Sequence, residues 1–222
     1  MDAASRRQAS PVGSQDGRED QWAIGSGQDA HREFREVMGR FCTGIAIVTS
    51  YDEVGPVGLT CQSVASVSLN PPLVLFCGGK NSTSLPRILA TGRFCINILG
   101  DDHHEIAQQF AVSGTDKFAR GDWRLSAQGM PQLGGAIAHI ECTVDLVQPA
   151  GDHDIVVGSV SSVEAASAGQ PLLFYRSEYR LVGTTLRSQP IAEIAADAHP
   201  TLVAWWGRLN RGGASRRRTC RR

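Results

Sequence analysis

Long apolar runs are missing from this 222-residue chain, and without about eighteen consecutive apolar residues no transmembrane helix is expected. Lysine is nearly missing too: only Lys80 and Lys117 stand among 22 basic residues, the rest being arginine. No acid occurs among residues 208–222, which carry seven arginines. That run balances the rest of the chain, leaving residues 1–207 about seven charges negative. A body of that sign makes a poor nucleic-acid surface, because phosphate contact needs concentrated Lys and Arg. No C-x-x-C pair exists; Cys42, Cys61, Cys77, Cys95, Cys142 and Cys220 are scattered singly. They read as small buried hydrophobes in a reducing compartment, with neither disulfide nor structural zinc. Met1-Asp-Ala-Ala-Ser-Arg-Arg is not followed by an apolar stretch, so no export signal is expected and the chain is placed in the cytoplasm.

Catalytic motifs are equally scarce. No G-x-S-x-G elbow supports a serine hydrolase, and no G-x-G-x-x-G supports a Rossmann site. Gly79-Lys80 is followed by Asn81, and position 74 is Val, so a Walker phosphate loop fails twice. His103-His104-Glu105 and Asp152-His153-Asp154 cluster ligand types without the i, i+4 histidine spacing of a helical zinc site. No metal is expected, and His103 and His104 are read as solvated.

What the chain does have is β texture. Residues 1–28 read as a disordered arm, 29–183 as one folded domain, and 184–222 as an extension with a basic end. In that extension a helix at 191–198 and an exposed Trp205-Trp206 pair are expected. Phe34, Val37, Met38 and Phe41 at i, i+3, i+4, i+7 predict an amphipathic helix from Asp29 to near Gly44. Short β runs follow at 44–50, 57–68, 73–77 and 93–99, with helices at 84–90 and 101–112. From Ala138 to Leu146, apolar residues alternate with His139, Glu141, Thr143 and Asp145, the period of a half-buried strand. Gly151-Asp152 turns into a strand at 155–163, and 171–175 gives the last run. Many short strands with hairpin turns imply a mostly β fold, an antiparallel barrel with helices outside it, rather than a βαβ repeat.

Several stretches in register resemble the flavin reductase family. They are Phe41-Cys-Thr-Gly-Ile-Ala-Ile-Val-Thr49, Pro56-Val-Gly-Leu-Thr-Cys-Gln-Ser63 through Phe76, Arg93 to Leu99, Asp116-Lys-Phe118, Gly151-Asp-His153 and Pro171 to Tyr175. The first two are most similar to the reductase components of steroid-ring and 4-hydroxyphenylacetate hydroxylases. The resemblance implies a split Greek-key barrel, a homodimer with flavin at its interface, and NADH or NADPH as hydride donor. The reduced FMN or FAD then serves a separate monooxygenase acting on an aromatic or steroid ring. Two alternatives stay in view: a non-catalytic flavin-binding or electron-carrier protein, and a flavin-retaining oxidase of the pyridoxamine-phosphate-oxidase-like type.

The resemblance also assigns residues. Val57, Gly58, Leu59 and Thr60 would offer main-chain groups to the isoalloxazine edge, with Gly58 permitting close approach. Gln62 and Ser63 would add side-chain partners, both serving only if the strand bends there. Cys77, Gly78, Gly79, Thr83 and Ser84 form a small loop for the flavin phosphate, with Lys80 adding charge. Gln109 and Phe110 match a further contacting pair, although Phe110 also fits a core position. His153 would stabilise charge beside the ring, and Phe174, Tyr175, Arg176 and Ser177 would wall the nicotinamide side. Read without the resemblance, 57–63 is a barrel strand with a turn, 77–84 a Gly-rich turn capped by Ser84, and His153 a solvent-facing turn residue.

Overall fold

The computed structural model describes residues 28–114 and 116–183. Most of the expected arm and the whole 184–222 extension, with its helix at 191–198 and Trp205-Trp206, lie outside the described residues. In chain order the elements are α1 (Gln28–Met38), β1 (Thr43–Gly44), β2 (Ala46–Asp52), β3 (Gly55–Cys61), β4 (Ala65–Leu69) and β5 (Pro72–Gly79). Next come α2 (Leu85–Thr91), β6 (Arg93–Ile98), α3 (His104–Ala111), β7 (Trp123–Leu125) and β8 (Pro131–Leu133). β9 (Ala138–Ala150), β10 (His153–Ala165), β11 (Leu173–Tyr175) and β12 (Glu178–Arg180) are the last of the described elements.

Seven strands pair antiparallel in the order β3-β2-β6-β9-β10-β5-β4. Its two edges, β3 and β4, are consecutive in the chain and joined by only Gln62, Ser63 and Val64. So short a link forces the sheet to curl until its edges approach, which gives the split antiparallel barrel. At the seam, Ser63 Oγ accepts the Cys77 N–H at 2.9 Å, and Cys61 Sγ lies 3.6 Å from Cys77 O. The expected single β run at 57–68 is therefore two strands.

Val48, Val57, Leu59, Phe76, Phe94, Ile96 and Val156 fill the barrel, and Leu85 and Ile88 of α2 pack on them. Proline near its start and Gly92 at φ 68 after its end bound that short helix. On the opposite face of β2, Ile45 and Ile47 pack with Leu99, Ala107 and Phe110 in a second cluster. Ala46 to Ser50 are buried without a break, because β2 is covered on both faces. Its near-continuous apolar sequence follows from that double cover.

Two expectations about burial change. The polar face of β9 is not solvated at its start: His139 is 2% and Glu141 4% exposed. The β7–β8 hairpin, which the sequence pattern did not announce, lies over that face. Gln132 donates to Glu141 Oε1 at 3.0 Å, His139 Nε2 lies 3.0 Å from Leu133 O, and Asn97 Oδ1 accepts the Leu133 N–H at 2.8 Å. Asn97 also donates to Ile47 O and Thr49 Oγ1, and Thr49 donates to Pro131 O at 2.6 Å. Polar residues alternate here because they bond one another under a cover. His103, expected in solvent, is likewise buried, its Nδ1 accepting the Gly100 N–H at 3.1 Å. α3 begins only at His104, after that turn.

α1 ends at Met38, short of Gly44, and none of its residues is buried. Phe34, Val37, Met38 and the following Phe41 are all exposed. The predicted amphipathic helix forms, but among the described residues nothing buries its apolar side. Among the described cysteines all five are free; Cys61, Cys95 and Cys142 are buried, Cys77 is half-buried, and Cys42 departs from the expected burial by being exposed.

Candidate functional site

The break between β3 and β4 decides what the seam presents. Regular pleating would send Gln62 and Ser63 to opposite faces; because β3 stops at Cys61, both stand exposed at the barrel mouth. They line a cavity of ≈ 830 Å³ together with Phe34, Met38, Phe41 and Phe174. Ser177 lies on the same wall. Residues expected on the flavin side and on the nicotinamide side thus face one opening. Its surface is mainly apolar, with Arg35, Thr43, Gln62, Ser63 and Ser177 adding polar groups, a composition that suits a flat ring with polar edges.

A second cavity, ≈ 370 Å³, lies between β3, α2 and the segment after α3. Val57, Gly58, Thr83, Ser84, Arg87 and Lys117 form much of its wall. Lys117 Nζ donates to Gly58 O at 3.1 Å, Phe110 O at 3.0 Å and Ser84 Oγ at 3.3 Å. One ammonium thus ties three segments together. Burial pulls its pKa below the usual lysine value, while the three acceptors hold its protons. Thr83 is exposed, and Ser84 is buried except where it meets this cavity. The helix is capped by Ser82 rather than Ser84: Ser82 Oγ accepts the N–H groups of Ser84 and Leu85, both at 3.2 Å.

Several sequence assignments take different physical roles. A Cβ on Gly58 would lie 2.7 Å from Phe110 Cε1 and 3.0 Å from Val48 O, so this glycine makes room for Phe110 while also lining the smaller cavity. Gly78 does the same for Leu85, at 2.7 Å. Leu59 points into the barrel core. Phe110 is 1% exposed, its ring packed edge-on to Phe118 at 5.0 Å and against Trp123. It belongs to the core, and no part of its ring reaches an opening. Thr60 spends its hydroxyl on Ala107 O at 2.6 Å, and Gln109 Nε2 donates to Asp116 O at 2.6 Å. Cys77 lies inside β5, both of its main-chain groups engaged by Ser63 Oγ. The loop therefore starts after Gly79, not at Cys77.

His153 opens β10 opposite Gly79. Its Nδ1 is 2.8 Å from Asp152 Oδ1, and a Cβ on Gly79 would sit 3.7 Å from its Nε2. The His153 partner holds the Asp152 carboxyl below its ordinary range, although solvent screens the exposed pair. Lys80 belongs to this corner instead of the phosphate loop, donating to Gly151 O at 2.7 Å. His153 borders neither cavity. Within one chain the candidate residues form three separate groups: the seam mouth, the Lys117 cavity and the His153 corner.

On the nicotinamide-side loop, Arg176 and Ser177 make a two-residue turn between β11 and β12 with φ 52 and 63. This is the left-handed geometry that tight hairpins require, adopted here by non-glycine residues. Arg176 donates its N–H to Gly39 O at 2.8 Å, docking the turn against the end of α1, and its guanidinium lies 5.6 Å from the Tyr175 ring centroid. Glu178 pairs with Arg180, not with Arg176.

Lys117 and Arg87 carry cavity charge that the sequence reading did not assign. Lys117 had a signal available: it is one of two lysines and sits inside a family-like tripeptide. Arg87 had none, since its position depends on Asp52, thirty-five residues earlier, whose carboxylate it grips through Nε and Nη2 at 2.7 Å each. That guanidinium holds the Asp52 pKa at about 2. Burial pushes the Cys142 thiol up to about 12 and raises Cys61 and Cys95 as well, so these thiols stay protonated. Among the described residues no three His, Cys, Asp or Glu side chains gather to hold a metal, and no helix is long and apolar enough to cross a membrane.

Comparison with known proteins matches residues 38–183 to the flavin reductase like domain. The chain is 47% identical over 156 residues to the reductase subunit HsaB of a flavin-dependent monooxygenase from Mycobacterium tuberculosis, covering 69% of this chain and 83% of that one. A crystal structure of nitrilotriacetate monooxygenase component B from Mycobacterium thermoresistibile superposes with a TM-score of 0.69 at 45% identity, over 72% of this chain and 92% of that one. The Streptomyces globisporus NADH:FAD oxidoreductase SgcE6, solved with NAD and FAD fragments, gives 0.67 at 33% identity, over 73% and 98%.

Proposed function

Since this chain belongs to the flavin reductase-like family and is an NAD(P)H-dependent flavin oxidoreductase supplying a monooxygenase, we propose that its reaction takes place at the β3–β4 seam of a homodimer. The observation that carries this placement is the shared cavity: Gln62 and Ser63 stand on one wall with Phe174 and Ser177. Two ring systems that exchange a hydride must be stacked, so their binding residues must face a common space. When bound, the two cofactors themselves supply the chemistry, a hydride passing from nicotinamide C4 to flavin N5.

The chain's own residues bind and orient. Gln62 presents an amide and Ser63 a hydroxyl whose position is fixed by Cys77. Thr83 and Ser84 offer hydroxyls, and Lys117 a positive field, for a phosphate in the smaller cavity. Apolar Phe34, Met38, Phe41 and Phe174 exclude water from the ring face. His153, oriented by Asp152, stabilises the charge that accumulates on the reduced ring. The apolar side of α1, exposed among the described residues, supports the second copy, because Phe34, Val37, Met38 and Phe41 together form an apolar patch. The chain acts in the cytoplasm, where NADH and free flavin are available.

Mixing the purified chain with NADH and excess FMN or FAD, and following NADH absorbance, tests the placement together with variants. Sustained turnover is expected; consumption of one flavin equivalent or none would mean a carrier instead. His153→Ala should slow reduction about tenfold in stopped flow while flavin affinity stays within about twofold. An unchanged reduction rate removes His153 from the site. Sedimentation velocity should give a dimer, and Phe41→Glu should shift it toward monomer.

A further inference from the structure

The smaller cavity holds two cations of unequal availability. Every Lys117 ammonium proton has a protein acceptor, namely Gly58 O, Phe110 O and Ser84 Oγ. Lys117 therefore contributes field but has no donor left for a ligand unless it gives up a protein bond. Arg87 differs. Its Nε and one Nη2 proton go to Asp52, and the other Nη2 proton to Gly55 O at 3.2 Å. Nη1 has no partner among the described residues, so two N–H groups of this cavity-lining residue are unspent.

Arg87 is also held still. Asp52 Oδ1 accepts the N–H groups of Val54 at 2.9 Å and Gly55 at 3.1 Å, which fixes the carboxylate in the β2–β3 turn and the guanidinium against it. Asp116 is the acid on the same wall, and its Oδ1 accepts the Phe118 N–H at 3.2 Å. The site thus has one cation beside the Thr83 and Ser84 hydroxyls and a second, separate and preorganised, at Arg87. A mononucleotide concentrates about two negative charges on one phosphate, whereas a dinucleotide spreads its charge over two linked phosphates. A cationic field beside the hydroxyls and a second cation with a free donor edge match the second pattern.

Building on the placement of the flavin phosphate at Thr83 and Ser84, we propose that Arg87 is a specificity-determining residue: its free Nη1 edge takes the second phosphate of a flavin dinucleotide, so the enzyme prefers FAD to FMN. Titration of FAD and FMN into the full chain, read by flavin fluorescence, should show FAD bound about tenfold more tightly, the worth of one charge-assisted contact. In Arg87→Lys, which keeps the ion pair with Asp52 but loses the second edge, the ratio of the two dissociation constants should fall to near one. Should that variant fail a thermal-melt check, Asp52→Asn serves, since releasing the guanidinium should lower the ratio as well. A wild-type ratio of one or below, or a ratio kept in a natively melting variant, overturns the proposal. NADH oxidation by the wild type with saturating FMN is measured alongside. Its absence would sink the reductase placement itself, whereas turnover without a flavin preference sinks only the role of Arg87.

Discussion

On the outer face of β2, β6 and β9, polar side chains are buried and bond one another; around the β3–β4 break they stand beside open cavities. Thr49, Asn97, Gln132, His139 and Glu141 spend their hydrogen bonds on each other and on the backbone of β2 and β8. Gln62, Thr83 and Arg87 keep donors or acceptors facing space that a ligand can enter. Both regions carry similar residue types, so composition does not separate them. What separates them is cover. A hairpin laid over the first face removes water and makes each bond structural, while the seam lacks such a cover and leaves its groups for binding.

The comparison is sharpened by substitutions that should split between stability and binding. Asn97→Leu strands Leu133 N–H and leaves Ile47 O and Thr49 without their partner, so urea denaturation should show a loss of about 3 kcal/mol. Flavin affinity, measured where the variant is folded, should stay within about twofold. A binding loss larger than the stability loss would break the division. Gly58→Val comes next, because its side chain meets Phe110 and the Val48 carbonyl. Overpacking should cost about 2 kcal/mol and widen the Lys117 cavity's wall, so both readouts should move. Thr83→Ala with Ser84→Ala reverses the pattern: FMN or FAD should bind about tenfold more weakly, with stability changed by no more than about 1 kcal/mol. Unaltered affinity there would remove the phosphate from this cavity. The smallest effect concerns acid. The folded pKa of Asp52, about 2, lies below its ordinary 3.8, so its pairing with Arg87 is fully present above that ordinary value and is lost as pH falls through about 2. Melting temperatures across that window should fall less in Asp52→Asn than in the wild type.

How far the sequence alone reached follows the same division. Strands with local patterns are readable: β6, β9 and β10 lie where alternation and turns place them, β6 one residue shorter and β9 and β10 longer by a few residues. The bend at Gln62–Ser63 is legible as a condition, because two adjacent side chains serve one ligand only if pleating stops. Non-local effects were invisible. Nothing local to His139 or Glu141 reveals the hairpin above them, and nothing near Gly58 reveals Phe110, fifty-two residues later in the chain. The two-residue turn at Arg176-Ser177 lacks the Asn-Gly signature that usually announces left-handed hairpins, so β12 went unpredicted.

The link of Gln62, Ser63 and Val64 has one more implication. Because the two free rims of the sheet are neighbours in sequence, the aperture is adjusted by a single short stretch, while the other ladders are fixed elsewhere. Lengthening or shortening that stretch by a residue would re-aim the entrance without disturbing how the wall is knitted. A scaffold of this kind can be retuned to a different visitor, or to release its product sooner, at one hinge-like point.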